Sequence, residues 1–284
     1  MTSGTMRFLY VTDFHGDRAA YEESLRVAVD HRASAIVNGG DLLPHGRTAA
    51  MTEGRAFVPW LRGHFAEARS AGLRTLAMFG NDDPAGLLPE FDALASEGVV
   101  ERLDRGVWIE IGGWSFLGYP FIPDPPFRLK DWSRLDDLET RCGFQFGPPL
   151  VSKPTGVEKL DVDAQTYLER FPTIEDDLRG LPAPPDAARA AFVMHSPPAG
   201  LDLDVCMDGT RVGSRAGRRF IESSGLALSL HGHVHESPRV TGRWFAKLGR
   251  ATAVNPGAIE RPEWVFVDTD ARTLEHSTRG IATF

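Results

Sequence analysis

The sequence predicts an α/β fold in which two mixed β-sheets pack as a sandwich with helices outside. Three observations predict it. Short apolar runs recur, and helix-length amphipathic stretches separate several of them, which is the pattern of a largely parallel sheet covered by helices. Two further runs flank Gly112-Gly113 and read as a tight hairpin. In the C-terminal third, strand-like runs appear where helices thin out, so a simple doubly wound sheet does not account for the chain.

The elements follow in order. Arg7–Val11 is the first buried strand. Between Asp17 and Arg32, the residues Tyr21, Leu25, Ala28 and Val29 share one face at helical spacing. Ala35–Val37 is the second strand, and a long helix covers roughly Met51 to Ala71. Thr75–Phe79 is the third strand, followed by a helix near Pro84 to Ser96. Val107–Ile111 and Trp114–Tyr119 are the arms of the hairpin. Tyr119 to Ala190 is proline-rich, shows no sustained core pattern, and contains two helix-like stretches, near Leu129 to Arg141 and Ala164 to Leu178. We read residues 1–284 as one domain with an insertion or lid at about 119–190. Ala191–Met194, Leu226–Leu230, Arg243–Ala246 and Trp264–Val267 complete the strands.

The 284 residues are 42% hydrophobic and 25% charged, enough apolar material for a full core. A net charge of -8 argues against a nucleic-acid-binding surface, which concentrates Lys and Arg. The two cysteines, Cys142 and Cys206, form no metal or redox motif, which fits a reduced compartment. Met1–Thr5 is not a basic region leading into an apolar stretch, and no apolar run approaches the ~20 residues that span a bilayer. The expectation is a cytoplasmic protein that does not engage a membrane.

The chain has nine histidines, and three of them stand within His231–His235, directly after an apolar run. Each buried run ends in the same chemistry. The first leads into Asp13 and His15, the second into Gly40-Asp41, the third into Gly80-Asn81-Asp82-Asp83, the fourth into His195 and the fifth into His233 and His235. Ligands in α/β sheets bind beyond the carboxyl ends of strands. Hard oxygen plus imidazole nitrogen, with no thiolate, suits Mn, Fe, Zn or Ni. Seven such residues exceed what one ion takes from protein and suit two divalent ions sharing a carboxylate. Two ions roughly 3.5–4 Å apart clamp the attacking and leaving oxygens of a displacement at phosphorus.

These blocks, Asp13-Phe14-His15, Gly40-Asp41, Gly80-Asn81-Asp82-Asp83, His195 and Gly232-His233-Val234-His235, resemble in order the motifs of the calcineurin-like metallophosphoesterase superfamily. The resemblance runs from about Met6 to Gly257, interrupted by 119–190. It implies a four-layer αββα sandwich of two mixed β-sheets flanked by helices, of the metallo-dependent phosphatase type. It also implies roles. Asp13, His15 and His235 would hold a first metal; Asn81, His195 and His233 a second; Asp41 would bridge them. A hydroxide between the metals would attack phosphorus. His231 is no ligand in the family pattern, and Asn255, in Asn255-Pro256-Gly257, would stand beside the site without ligating.

One departure matters. Many members carry His where this chain has Asp82, and that His is thought to protonate the leaving oxygen. A carboxylate beside two cations is expected to be ionised and a poor proton donor. His45, shortly after Asp41, and a metal-bound water are the remaining candidates for general acid. The catalytic set expected from the resemblance is therefore Asp41, Asn81, Asp82 and His45.

Other residues have plainer readings. His231 reads as a structural residue bonded to its loop, and His31 and His64 as exposed or capping. Arg18, Arg215, Arg218 and Arg219 read as solvated helix surface. Asp17, Asp83 and Asp124 read as turn or cap residues, with Asp83 able to orient the Asn81 loop. Phe121, Phe127, Trp132, Phe144 and Phe146 fit either a substrate pocket or packing beneath the insertion. The resemblance points to hydrolysis of a small phosphorylated substrate, with diesters slightly favoured over monoesters because a diester with a good leaving group depends less on an acid. A non-catalytic metal-binding scaffold on the same fold and a nuclease are the alternatives.

Overall fold

A computed structural model describes residues 6–45, 50–258 and 260–284. The N-terminal stretch Met1–Thr5 read above lies outside the described residues. Strands β1 (Arg7–Val11), β2 (Ala35–Asn38), β3 (Arg74–Ala77) and β4 (Glu101–Arg102) run parallel. Helices α1 (Arg18–Asp30), α2 (Ala50–Ser70) and α3 (Leu88–Ser96) make the crossovers. A hairpin follows, β5 (Ile109–Ile111) and β6 (Trp114–Tyr119). Gly112 and Gly113 turn it, with φ of 56° and 80°, the left-handed pair such a turn needs.

Four short strands come next, β7 (Ile122–Pro123), β8 (Ser133–Arg134), β9 (Leu150–Lys153) and β10 (Gly156–Lys159), and two short helices, α4 (Ala164–Leu168) and α5 (Ile174–Arg179). The chain then returns through β11 (Ala190–Met194), α6 (Arg215–Ser224), β12 (Leu228–Leu230) and α7 (Ser237–Thr241). It ends with β13 (Phe245–Leu248), β14 (Ala251–Val254), β15 (Trp264–Asp268), β16 (Thr273–His276) and β17 (Gly280–Thr283).

Thirteen strands form two mixed sheets, ordered β17-β16-β15-β1-β2-β3-β4 and β13-β14-β12-β11-β6-β5, while β7 pairs with β8 and β9 with β10. Strand alternation sorts the layers. On β1, Leu9 and Val11 face α1–α3 and join Tyr21, Phe57, Leu61 and Phe91, while Phe8 and Tyr10 face the second sheet. Phe8 meets Phe116 of β6 edge to face at 5.1 Å. On the second sheet, Ala191 and Val193 face inward, while Phe192 and Met194 face outward against Ala216 and Ile221 of α6. Helices, sheet, sheet, helices is the four-layer order expected from the sequence.

Several expectations change. Leu129–Arg141 is not helical. Its backbone is paired with distant segments: Lys130 N donates to Leu150 O, and Trp132 O and Arg134 O accept from Ile122 N and Asp124 N. Such bonds compete with helix formation. The stretch Ala164–Leu178 is two helices rather than one, because Pro172 lacks a donor and Thr173 opens a new helix with a capping box to Asp176. His64 is buried, stacked 5.4 Å from Trp60 and edge-on to Tyr21 at 5.2 Å. Burial pushes its imidazole down to about 4. Asp124 is no simple turn residue; it pairs at 2.6 Å with the fully buried ammonium of Lys130. Arg215 and Arg219 are half-exposed but bound to Asp137, and Arg219 also to Glu175. The strands β4, β7, β8, β9, β10, β14, β16 and β17 add to those read from the sequence.

Candidate metal centre

Both sheets present the carboxyl ends of their strands to one place. Asp13 and His15 follow β1, Asp41 follows β2, and Asn81 follows β3; His195 follows β11, and His233 and His235 follow β12. The loops are laced together by their backbones. Asp13 N donates to Gly40 O at 3.0 Å, His15 N to Asp41 O at 2.8 Å, and Gly232 N to His195 O at 3.0 Å.

The local backbone is unusual for a reason. Asp13, His15, Asp41 and His233 all have left-handed φ, between 45° and 64°, which non-glycine residues keep only where the surroundings force it. Three glycines explain the close approach. A Cβ on Gly40 would lie 2.8 Å from His195 Nδ1. One on Gly80 would collide with Asp41 Oδ1, and one on Gly232 with Asp13 Oδ2. Each glycine precedes or faces a candidate ligand because a side chain there would occupy the ligand's position.

The donor atoms converge. Asp13, His15, Asp41 and His235 each offer one atom, all within 4.8 Å of one another. His15 Nε2 lies 3.3 Å from His235 Nε2 and 3.7 Å from Asp41 Oδ2, and His235 Nε2 lies 3.3 Å from Asp13 Oδ1. Beside this group, His195 Nε2 lies 3.0 Å from Asn81 Oδ1 and 3.3 Å from Asp41 Oδ2. The ring of His233 is 5.5 Å from that of His195, and its backbone N donates to Asp13. Asp41 Oδ2 thus faces both groups, while its Oδ1 accepts from Asp82 N at 2.8 Å.

Second partners orient these groups. His195 Nδ1 donates to Gly39 O at 2.9 Å, which turns Nε2 toward the carboxylates. That carbonyl has no signature in the sequence. Asp83 is buried and accepts from Leu42 N, Leu43 N and Gly80 N, so it ties the Asp41 loop to the Asn81 loop. Asn255 Nδ2 donates to Val234 O at 3.1 Å and to Leu203 O at 3.0 Å, fixing the turn between His233 and His235. His231 bonds Met194 O, Ser196 O and Ser229 Oγ inside the core, and burial pushes it down to about 4; it points into the sheet packing, away from the donor cluster.

Electrostatics describe a site built for added positive charge. Burial raises the Asp13 carboxyl, but the charges of His235 and His195 outweigh it and hold Asp13 at about 2. Burial likewise opposes the charged form of Asp41, yet His195 and His15 hold it well below the ordinary range. Against their own burial, His195 and His235 are drawn up to about 9 by Asp41 and Asp13 respectively. The protein alone therefore neutralises two buried carboxylates with two imidazolium protons. A divalent cation meets the same need and fits the oxygen and nitrogen donors that face inward.

The expected general-acid candidates sit at the open side. His45 is exposed, its ring 4.4 Å edge-on to His15, and His15, His45 and Asp82 form a second group of close donor atoms. In the protein without cations, burial and then the Asp41 charge push Asp82 up to about 7; the ionised state expected beside two cations concerns the metal-loaded site.

A family model described as calcineurin-like phosphoesterase matches residues 6–237. Among solved structures, the chain is similar to the protein TT1561 of Thermus thermophilus at 19% identity, with 96% of this chain and 98% of that chain covered and a TM-score of 0.56. It is also similar to a dimetal phosphatase from Danio rerio at 12% identity, covering 99% of each chain, with a TM-score of 0.49. A search of the curated proteins finds no match.

Proposed function

Since the chain belongs to the calcineurin-like phosphoesterase family, we propose that it is a dinuclear metal-dependent phosphoesterase acting on small phosphodiesters in preference to phosphomonoesters. The observation that carries the reading is the convergence of Asp13, His15, Asp41 and His235 within 4.8 Å, with Asn81 and His195 bonded to each other on the far side of Asp41. Asp13, His15 and His235 would hold one ion and Asn81, His195 and His233 the other, with Asp41 placed to serve both. Mn, Fe, Zn and Ni all suit these donors. Ions held there would supply the Lewis acidity that activates water and offsets charge on the phosphoryl oxygens.

The chain's own residues do the rest. Gly39 O, Asp83 and Asn255 hold the ligand loops in register. His45, exposed beside His15, protonates the leaving oxygen, and Asp82 orients the Asn81 amide through the 2.9 Å bond from Asn81 Nδ2. The 119–190 segment is an insertion that buttresses the site of a single domain, since Trp132 Nε1 bonds Asp83 O next to the Asn81 loop. Among the described residues no helix is long and apolar enough to cross a membrane. The two cysteines, which form no redox or metal motif, support our placing the enzyme in the cytoplasm.

The reading is tested by hydrolysis of bis-p-nitrophenyl phosphate after reconstitution with Mn. Metal-dependent turnover is expected, and Asp41→Ala should lose it together with binding of both ions. Absence of hydrolysis of any aryl phosphate mono- or diester would instead favour a metal-binding scaffold. His45→Ala should cost about a hundredfold on a phenyl ester, the scale of general-acid catalysis, and far less on the p-nitrophenyl ester, whose leaving group needs no proton. Equal losses on both esters would remove His45 from that role.

A further inference from the structure

A cavity of about 390 Å³ opens beside the metal centre on the far side of His235. Its walls come from two separate parts of the chain. His235, Pro238 and Arg239 belong to the loop after β12 and to α7, and Arg261, Glu263, Thr278 and Arg279 flank β15 and the β16–β17 turn. Three guanidiniums therefore border one space that also contains a candidate metal ligand. A cavity of this size takes a small-molecule moiety rather than a water or two.

The lining carries three arginines against two glutamates, Glu260 and Glu263. Glu263 is occupied by the protein: it accepts from Thr278 Oγ1 at 2.5 Å and lies 3.6 Å from His276 Nε2 and 3.8 Å from Arg279 Nε. Among the described residues, Arg261 has a carboxylate within 4.0 Å only in Glu23, at 3.9 Å. Arg239 meets the sulfur of Met207 at 3.7 Å and has no carboxylate within 4.0 Å among the described residues. Glu260, also at the rim, is exposed. Arginine forks match the oxygens of a phosphate and hold it by charge-assisted bonds.

We infer that this cavity binds a second phosphate group of the substrate, carried on the part of the molecule that is not the scissile ester, so that the enzyme selects compounds bearing two phosphates. The inference rests on the phosphoesterase reading above. Arg239 and Arg261 are the specificity determinants, and Arg279, tethered to Glu263, lines the cavity between them and the turn.

The test is calorimetric binding of fructose 1,6-bisphosphate and fructose 6-phosphate to the Mn-loaded protein. The bisphosphate should bind about tenfold or more tightly, the size of one or two charge-assisted hydrogen bonds. That ratio should collapse toward one in Arg239→Gln combined with Arg261→Gln, and persist in Arg26→Gln, a surface control on α1. Each ratio is taken within one protein, so a loss of folded fraction does not move it. Equal binding of the two ligands by the wild type, or a ratio retained in the double variant, overturns the inference. Hydrolysis of bis-p-nitrophenyl phosphate on the same sample reports separately on the phosphoesterase reading, because that ester carries no second phosphate.

Discussion

Gly232 shows how narrowly single atoms define this site. A methyl group there would collide with Thr12 Oγ1 and Asp13 Oδ2, both within the packed interior. Gly232→Ala should therefore displace Asp13 and lower bound metal per chain, measured by elemental analysis of the purified protein. Full metal occupancy in that variant would mean the loop yields without cost. The residues that converge here were legible in the sequence because each follows a strand-forming run, and the order of the blocks constrained them jointly. The positions of His64 and Asp124 were not legible. Nothing near His64 in sequence says that Trp60 and Tyr21 enclose it, and the Asp124–Lys130 pair depends on a loop whose burial comes from tertiary packing. Arg239 and Arg261 were invisible for the same reason, since they lie apart in the chain and meet only across a cavity.

At the scale of elements, the crossover helices were legible from their apolar spacing, and in α1 the capping agrees with it. Asp17, read as a turn or cap residue, accepts from Ala19 N and Ala20 N at the start of α1. The 119–190 segment was illegible because its order comes from side chains bonding distant backbone. Asp136 is the clearest case: it accepts from Ser214 Oγ and from the backbone N of Arg215 and Ala216, satisfying the first turn of α6. Free N–H groups at a helix start are otherwise left without partners. Asp136→Ala should destabilise the protein by about 1–2 kcal/mol, the scale of a lost N-cap, read as a lower midpoint in urea. An unchanged midpoint would show that water or Ser214 alone satisfies that turn.

For the whole molecule, stability and function meet in how the buried histidines titrate. His64 of α2 packs against Tyr21 of α1, and its folded value of about 4 lies below its ordinary 6.5. The unfolded chain therefore takes up the proton more readily. The stability that His64 contributes is complete above about pH 6.5 and is lost as pH falls toward 4. The loss amounts to about 3 kcal/mol over that window. His64→Phe should flatten this part of the pH–stability curve in chelator-treated protein; an identical slope in both proteins would assign it elsewhere. The sandwich was legible because the Gly112-Gly113 hairpin and the strand-like runs of the C-terminal third do not fit a simple doubly wound sheet; the division of β1 and β11 between an outer helix face and the inter-sheet core was not, because both runs are apolar on both faces. That architecture brings the carboxyl ends of both sheets to one edge, and the account stands on what they hold there. The most direct measurement is to titrate metal-free protein with Mn²⁺ while following hydrolysis of bis-p-nitrophenyl phosphate. The account predicts activity that rises to a plateau at two ions per chain and disappears on chelation. Activity that is indifferent to metal, or full occupancy without hydrolysis, would contradict it.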